Sequence, residues 1–189
     1  HYMHYYLKRS FCDYELTPTE YGACIRMTFN KDYDRFLSIL PVQGNHVYKL
    51  CKECNKLFVM TTCDTMRSED IGKLKTFIVY DFEDGAIDFD NTIVENMAEN
   101  KKEKGLEIEG EKVAIHLALN KKSMEVKMAT SFISMEQALV NLKNDSDYEN
   151  FDDLKAKNEA IWEEYLGKIT IEADEERMKA FYSCMYRAF

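Results

Sequence analysis

Two thiols three positions apart, Cys51 and Cys54 in CKEC, have the spacing in this sequence most suited to chemistry. A Cys-x-x-Cys pair can close a reversible disulfide or give two ligands to zinc. A structural zinc site needs four ligands, commonly from a second such pair, and neither His46 nor Cys63 repeats the spacing. The stretch is read as a hairpin turn with incidental thiols, with a Cys51–Cys54 disulfide as the alternative. Two acidic stretches resemble calcium loops. In NDSDYENFDDLKA, counted from Asp145, the sixth position is not Gly, and Ala156 stands where a bidentate Glu belongs. DFEDGAIDFD, residues 81–90, fails in the same way. Both are read as solvated loops.

Nothing else in the sequence marks a reaction centre. Carboxylate pairs are common in a chain with 34 acids, and no local context makes any pair buried and convergent. His1 and His4 lie at the start, His46 by a turn, and His116 opposite the apolar face of a strand, where it should meet solvent. There is no Ser/His/Asp or Cys/His motif and no Gly-rich phosphate loop. Residue types and spacing therefore assign no catalytic residue and no metal ligand.

The composition is that of a soluble protein able to bury a sizeable core. Of 189 residues 46% are hydrophobic and 31% charged, enough for one domain or one and a half. Twelve Tyr and eleven Phe lean toward sheet. A net charge of −9 makes nucleic acid and anionic membranes poor partners. No run of 18 apolar residues offers a membrane span. The opening HYMHYYLKRS has no initiator Met and reads as a cut start, not a signal peptide. Six cysteines without dense spacing are read as free buried thiols.

Hydrophobic alternation then supplies strands. In YGACIRMTF, Tyr21, Ala23, Ile25, Met27 and Phe29 share a face, with Cys24, Arg26 and Thr28 on the other. RFLSILPV ends at Pro41; HVYKL and LFVMTT flank CKECNK; LKTFIVYDF, KVAIHLALN and MEVKMATSFI follow. About eight short strands with no helix between them predict an antiparallel β-sandwich. ENMAENKKEKG is read as an exposed loop or hairpin tip.

The pattern changes at Ser134. With Gln137 three residues on, it forms a capping box that starts a helix near Met135, with Ala138, Leu139 and Leu142 inward. A second helix is expected over residues 153–166, with Leu154, Ile161, Trp162 and Tyr165 inward and Gly167 as its stop. Asp174 caps a third, striped by Met178, Phe181, Tyr182, Met185, Tyr186 and Phe189. Burying six such side chains is worth on the order of 10 kcal/mol, comparable with a domain's net stability. This predicts either packing back on the sandwich or a missing partner, and truncation before a larger helical domain is the expectation.

At the sheet-to-helix switch the sequence resembles glycoside hydrolase family 92, the calcium-dependent exo-acting α-mannosidases. VKMATSFISMEQALVNL, residues 126–142, meets the family pattern Ala-x-Ser-x-x-Ser-x-x-x-Ala-x-x-Asn-Leu with Ala129, Ser131, Ser134, Ala138, Asn141 and Leu142. Phe151, Asp152, Trp162, Leu166 and Ile169 sit where the family's linker helix expects them. Phe181, Tyr182 and Tyr186 resemble the first helix of its (α/α)6 barrel, with Met185 for Leu. Earlier, FCDYELTPTEYGACI keeps Phe11, Glu15, Pro18 and Tyr21 but has Cys12 and Asp13 where the family has Ser-His, a departure that bears on specificity.

The resemblance implies a mainly β protein: an antiparallel β-sandwich over residues 1–133, linker helices over 134–173, and over 174–189 the first helix of an (α/α)6 barrel absent from this chain. It implies a parent that hydrolyses terminal α-mannosides, as an α-1,2-mannosidase-like enzyme, with inversion. An inverting pair of carboxylates sits about 6.5–9.5 Å apart to admit a water. That pair and the Ca²⁺ would lie in the barrel, so this chain alone would be inactive. Within it, Asp13 and Glu15 are the candidate substrate-binding residues, the alternative being a capped strand entry. A mannose-containing glycan and the missing barrel are the implied partners, and export to the periplasm, cell surface or medium the implied location. A free-standing carbohydrate-binding or structural sandwich is the competing reading. It predicts an exposed aromatic platform and a buried last helix.

Overall fold

The computed structural model describes residues 1–42, 44–63 and 74–189 of the chain. Its strands are β1 (Met3–Leu7), β2 (Cys12–Pro18), β3 (Gly22–Phe29), β4 (Arg35–Ile39), β5 (His46–Cys51), β6 (Lys56–Cys63), β7 (Leu74–Phe82), β8 (Ile87–Asn96), β9 (Lys101–Lys104), β10 (Glu107–Gly110), β11 (Val113–Leu119) and β12 (Ser123–Ser131). They form an eight-stranded sheet, β1-β2-β3-β12-β7-β6-β5-β10, and a four-stranded sheet, β4-β11-β8-β9. Every pairing described is antiparallel, so the mainly β, sandwich architecture stands.

Alternation builds the core between the sheets. Ile25, Met27 and Phe29 of β3 and Met124 and Val126 of β12 meet Val113, Ile115 and Leu117 of β11, all buried. On the other face of β3 Cys24 is fully buried, as its reading as a buried thiol expects. The reason is a third layer: helices cover this outer face of the large sheet. The close approach at the β3–β12 pair needs Gly22, where a Cβ would run into the Met128 carbonyl.

Helix α1 (Met135–Asn144) starts where Ser134 caps it, its Oγ accepting from the Gln137 backbone N–H at 3.1 Å. The capping box is half made, because the Gln137 amide does not reach back; it donates to Asn141 Oδ1 at 2.9 Å. Ala138 and Leu142 pack on Val79 and Ala129 of the sheet. Helix α2 (Phe151–Leu166) begins two residues before the expected start, because Asn150 caps it by accepting from the Asp153 N–H. Only Phe151 and Leu154 of α2 are buried. Ile161 and Tyr165, expected inward, are exposed, since the buried contacts of α2 lie in its first turn.

Helix α3 (Glu175–Ala188), capped by Asp174, has no buried residue. Its apolar stripe meets α2: Tyr186 lies 4.4 Å from Trp162 and Phe189 5.4 Å from Tyr165, centroid to centroid. No helix in the described residues is long and apolar enough to cross a membrane.

Candidate functional site

The residues that carry chemistry converge where β1, β2 and β3 meet α2. In the β2–β3 hairpin Glu15 faces Arg26 directly across the ladder. Arg26 donates Nε to Glu15 Oε2 at 2.7 Å and Nη2 to Oε1 at 2.9 Å, a two-pronged pair. The Tyr2 hydroxyl donates to Oε1 at 2.7 Å. The remaining Arg26 nitrogen, Nη1, donates to Asp152 Oδ2 of α2 at 2.8 Å, and the guanidinium lies 4.4 Å from the Phe151 ring centroid. Glu15 is thus committed to holding helix on sheet. The Arg26 hydrogen bonds hold its carboxyl below the usual range, so it is a fixed anion and not a proton donor at neutral pH.

Asp13, one step along the same face, is more open, with 32% of its side chain exposed. Oδ2 accepts from the Asn30 amide at 2.7 Å, and His4 Nε2 lies 2.8 Å from Oδ1. These bonds, that from Asn30 first, lower its pKa. Of the two, Asp13 is the carboxylate with exposed surface to offer a hydroxyl or a cation, while both Glu15 oxygens are taken by Arg26 and Tyr2. Neither is tuned for general acid catalysis.

The motif at the switch is a joint. Ala129 and Ala138 have no exposed surface, because strand and helix backbones approach closely there. Buried Asn141 donates Nδ2 to the Thr130 carbonyl at 2.8 Å, and Ser131 Oγ accepts from the Ile133 N–H at 3.0 Å. Asp145, read as part of a solvated loop, accepts from the Tyr21 N–H at 2.8 Å and so binds this joint to the β2–β3 turn. Beside it Phe132 and Ile133 stand exposed.

The other sequence candidates fall elsewhere. His46 is buried, stacked on Tyr48, with Nε2 3.0 Å from the Val42 carbonyl. His116 is half-buried, contrary to its reading as solvent-facing. Nδ1 lies 2.8 Å from Ser38 Oγ and Nε2 2.9 Å from Glu95 Oε2. This row crosses three strands at positions 38, 95 and 116, so no local motif could announce it. Beside it, on the outer face of the small sheet, a cleft of about 680 Å³ is lined by Tyr33, Phe36, Asp88, Asn91, Lys104 and Asn120 among others. Among the described residues, no three His, Cys, Asp or Glu side chains converge as a metal site requires.

Three comparisons place this arrangement among known proteins. Residues 137–189 match the glycosyl hydrolase family 92 catalytic domain, from the first turn of α1 to the last residue. A search of the curated proteins finds no match. Among solved structures, a family GH92 inverting mannosidase from Bacteroides thetaiotaomicron is similar at 19% identity and TM-score 0.81, over 93% of this chain and 24% of that one. A family GH92 α-mannosidase from the same organism is similar at 19% identity and TM-score 0.84, over 99% of this chain and 26% of that one. Its complex with mannoimidazole gives a TM-score of 0.83. The chain spans about a quarter of the length of these structures. At such identity the likeness is one of fold.

Proposed function

From a chain that carries the family 92 segment over residues 137–189 on the fold of family 92 mannosidases, we propose the N-terminal, non-catalytic part of an α-mannosidase-like glycoside hydrolase. In this reading residues 1–133 are the sandwich, 134–173 the linker, and 174–189 the first helix of an (α/α)6 barrel. The observation that carries it is the family match running through all three helices, the last of which has no buried residue. The barrel would cover the aromatic stripe of α3 and supply the inverting carboxylates. Calcium would be held by the barrel, outside this chain. The parent would be exported and act on terminal α-mannosides of a glycan. Asp13, the more open of the two candidate anions, would lie nearest the substrate, with Glu15 steadying the strand behind it.

The test compares this chain with the product of the longer reading frame on para-nitrophenyl α-mannoside. The chain alone should release no nitrophenol. The longer product should release it, lose activity in EDTA and regain it with calcium, and yield β-mannose first by NMR. Cleavage by the isolated chain would overturn the proposal.

One observation favours the second reading, a carbohydrate-binding sandwich. Tyr33 and Phe36 are 59% and 42% exposed beside the small-sheet cleft. Aromatic faces with nearby Asn and Asp side chains suit a sugar ring. That reading predicts heat of binding with a mannan-derived oligosaccharide in calorimetry, lost in Phe36→Ala. No heat with the unaltered chain would remove it.

A further inference from the structure

The β5–β6 hairpin closes through a four-residue connection, residues 52–55, with Cys51 paired to Lys56 at its base. Asn55 takes a left-handed conformation, φ 53°, which folds the connection back on itself. The fold brings Cys54 under Cys51: the two Sγ atoms lie 2.7 Å apart, inside van der Waals contact. Cys51 Sγ also donates to Glu53 Oε2 at 3.3 Å. Cys54 is exposed and Cys51 half-buried. The tip is anchored from outside, by Lys52 to Asp90 at 3.2 Å and by the Asn55 amide to Asp84 at 2.6 Å.

We infer that Cys51 and Cys54 are a reversible redox site, a dithiol that low-molecular-weight disulfides such as oxidised glutathione convert to an intramolecular disulfide. The exposed Cys54 thiolate attacks one sulfur of the small disulfide. A mixed disulfide forms and one small thiolate leaves. Cys51 then loses its proton to solvent, and its thiolate attacks Cys54 Sγ. The Cys51–Cys54 bond forms and a second small thiol departs. Two protein thiols are oxidised and one small disulfide is reduced to two thiols. The second step is intramolecular between sulfurs already in contact, so it outruns a further small molecule. Because the closed loop is short, the disulfide adds little entropic stabilisation, which suits a bond that is made and broken.

Cys184, exposed on α3, is the internal comparison: it has no thiol neighbour among the described residues. The chain is incubated with oxidised glutathione, quenched with N-ethylmaleimide, digested and mapped by mass. The peptide holding Cys51 and Cys54 should lose both maleimide labels, carry no glutathione, and regain both labels after dithiothreitol. Cys184 should retain glutathione. In Cys51→Ser, Cys54 should retain glutathione as well, because the resolving thiol is gone. If the unaltered peptide keeps both labels, or holds glutathione on Cys54 as the variant does, the inference is wrong.

Discussion

Phe151→Ala is expected to lower the unfolding free energy by about 3–5 kcal/mol, the usual range for emptying a fully buried aromatic site. Phe151 has no exposed surface and packs with Cys24, Tyr148 and Leu154 in the cluster between α2 and the sheet. Tyr2 meets its ring edge-on at 6.3 Å, and the Arg26 guanidinium lies on its face. Its backbone N–H is held by Glu125 Oε2 at 2.9 Å, so the truncated residue stays in place and the space cannot collapse. Urea unfolding measures the total. Hydrogen exchange gives the location: amides of α2 should lose protection before those of β11 and β12. Ile161→Ala, on the same helix but 50% exposed, should stay within about 0.5 kcal/mol. A Phe151→Ala loss no larger than that of Ile161→Ala would mean that α2 is held by something else.

The sandwich was legible because its core strands obey a period of two; β3, β11 and β12 lie where alternation puts them. Helix starts were legible because Ser134 and Asp174 are side-chain caps, which act within three residues. What stayed hidden depends on contacts between distant residues. The start of β8 falls in DFEDGAIDFD, residues 81–90, the stretch read as a failed calcium loop and a solvated one. Folded, Asp88 accepts from the Asn91 N–H, and buried Thr92 donates to the Asp88 carbonyl and accepts from the Ala118 N–H. These bonds hold the irregular register beside β11. Trp162 was expected to face the sheet and faces α3 instead, since helical period tells which face is apolar but not what covers it. The Glu15–Arg26 pair had a usable signal: the two are symmetric about the centre of the Thr19–Gly22 turn, so the hairpin register alone sets opposite charges across the ladder.

That pair gives the other large effect. Arg26→Met should cost about 3–5 kcal/mol, the range for breaking a buried ion pair by removing one partner. Arg26 is 22% and Glu15 15% exposed in their side chains, so solvent screens neither strongly. The loss includes the stranded Glu15 anion, the Asp152 contact and the cation on the Phe151 ring. Glu15→Gln combined with Arg26→Met should recover part of it, because the unpaired charge is gone; a double-mutant cycle reads the coupling. The pH dependence fixes the cause. Arg26 depresses the folded-state pKa of Glu15, so the contribution of Glu15 is complete above the unfolded value of about 4.3 and disappears as pH falls through the folded one. In Arg26→Met that depression is lost and burial pushes the carboxyl up, so acid relieves the variant while it weakens the unaltered chain. The stability gap between them should therefore narrow on going from roughly pH 7 to pH 3, and Glu15→Gln should lose this part of the acid dependence. A gap constant across that range would place the Arg26 effect in its packing on Phe151, not in its charge.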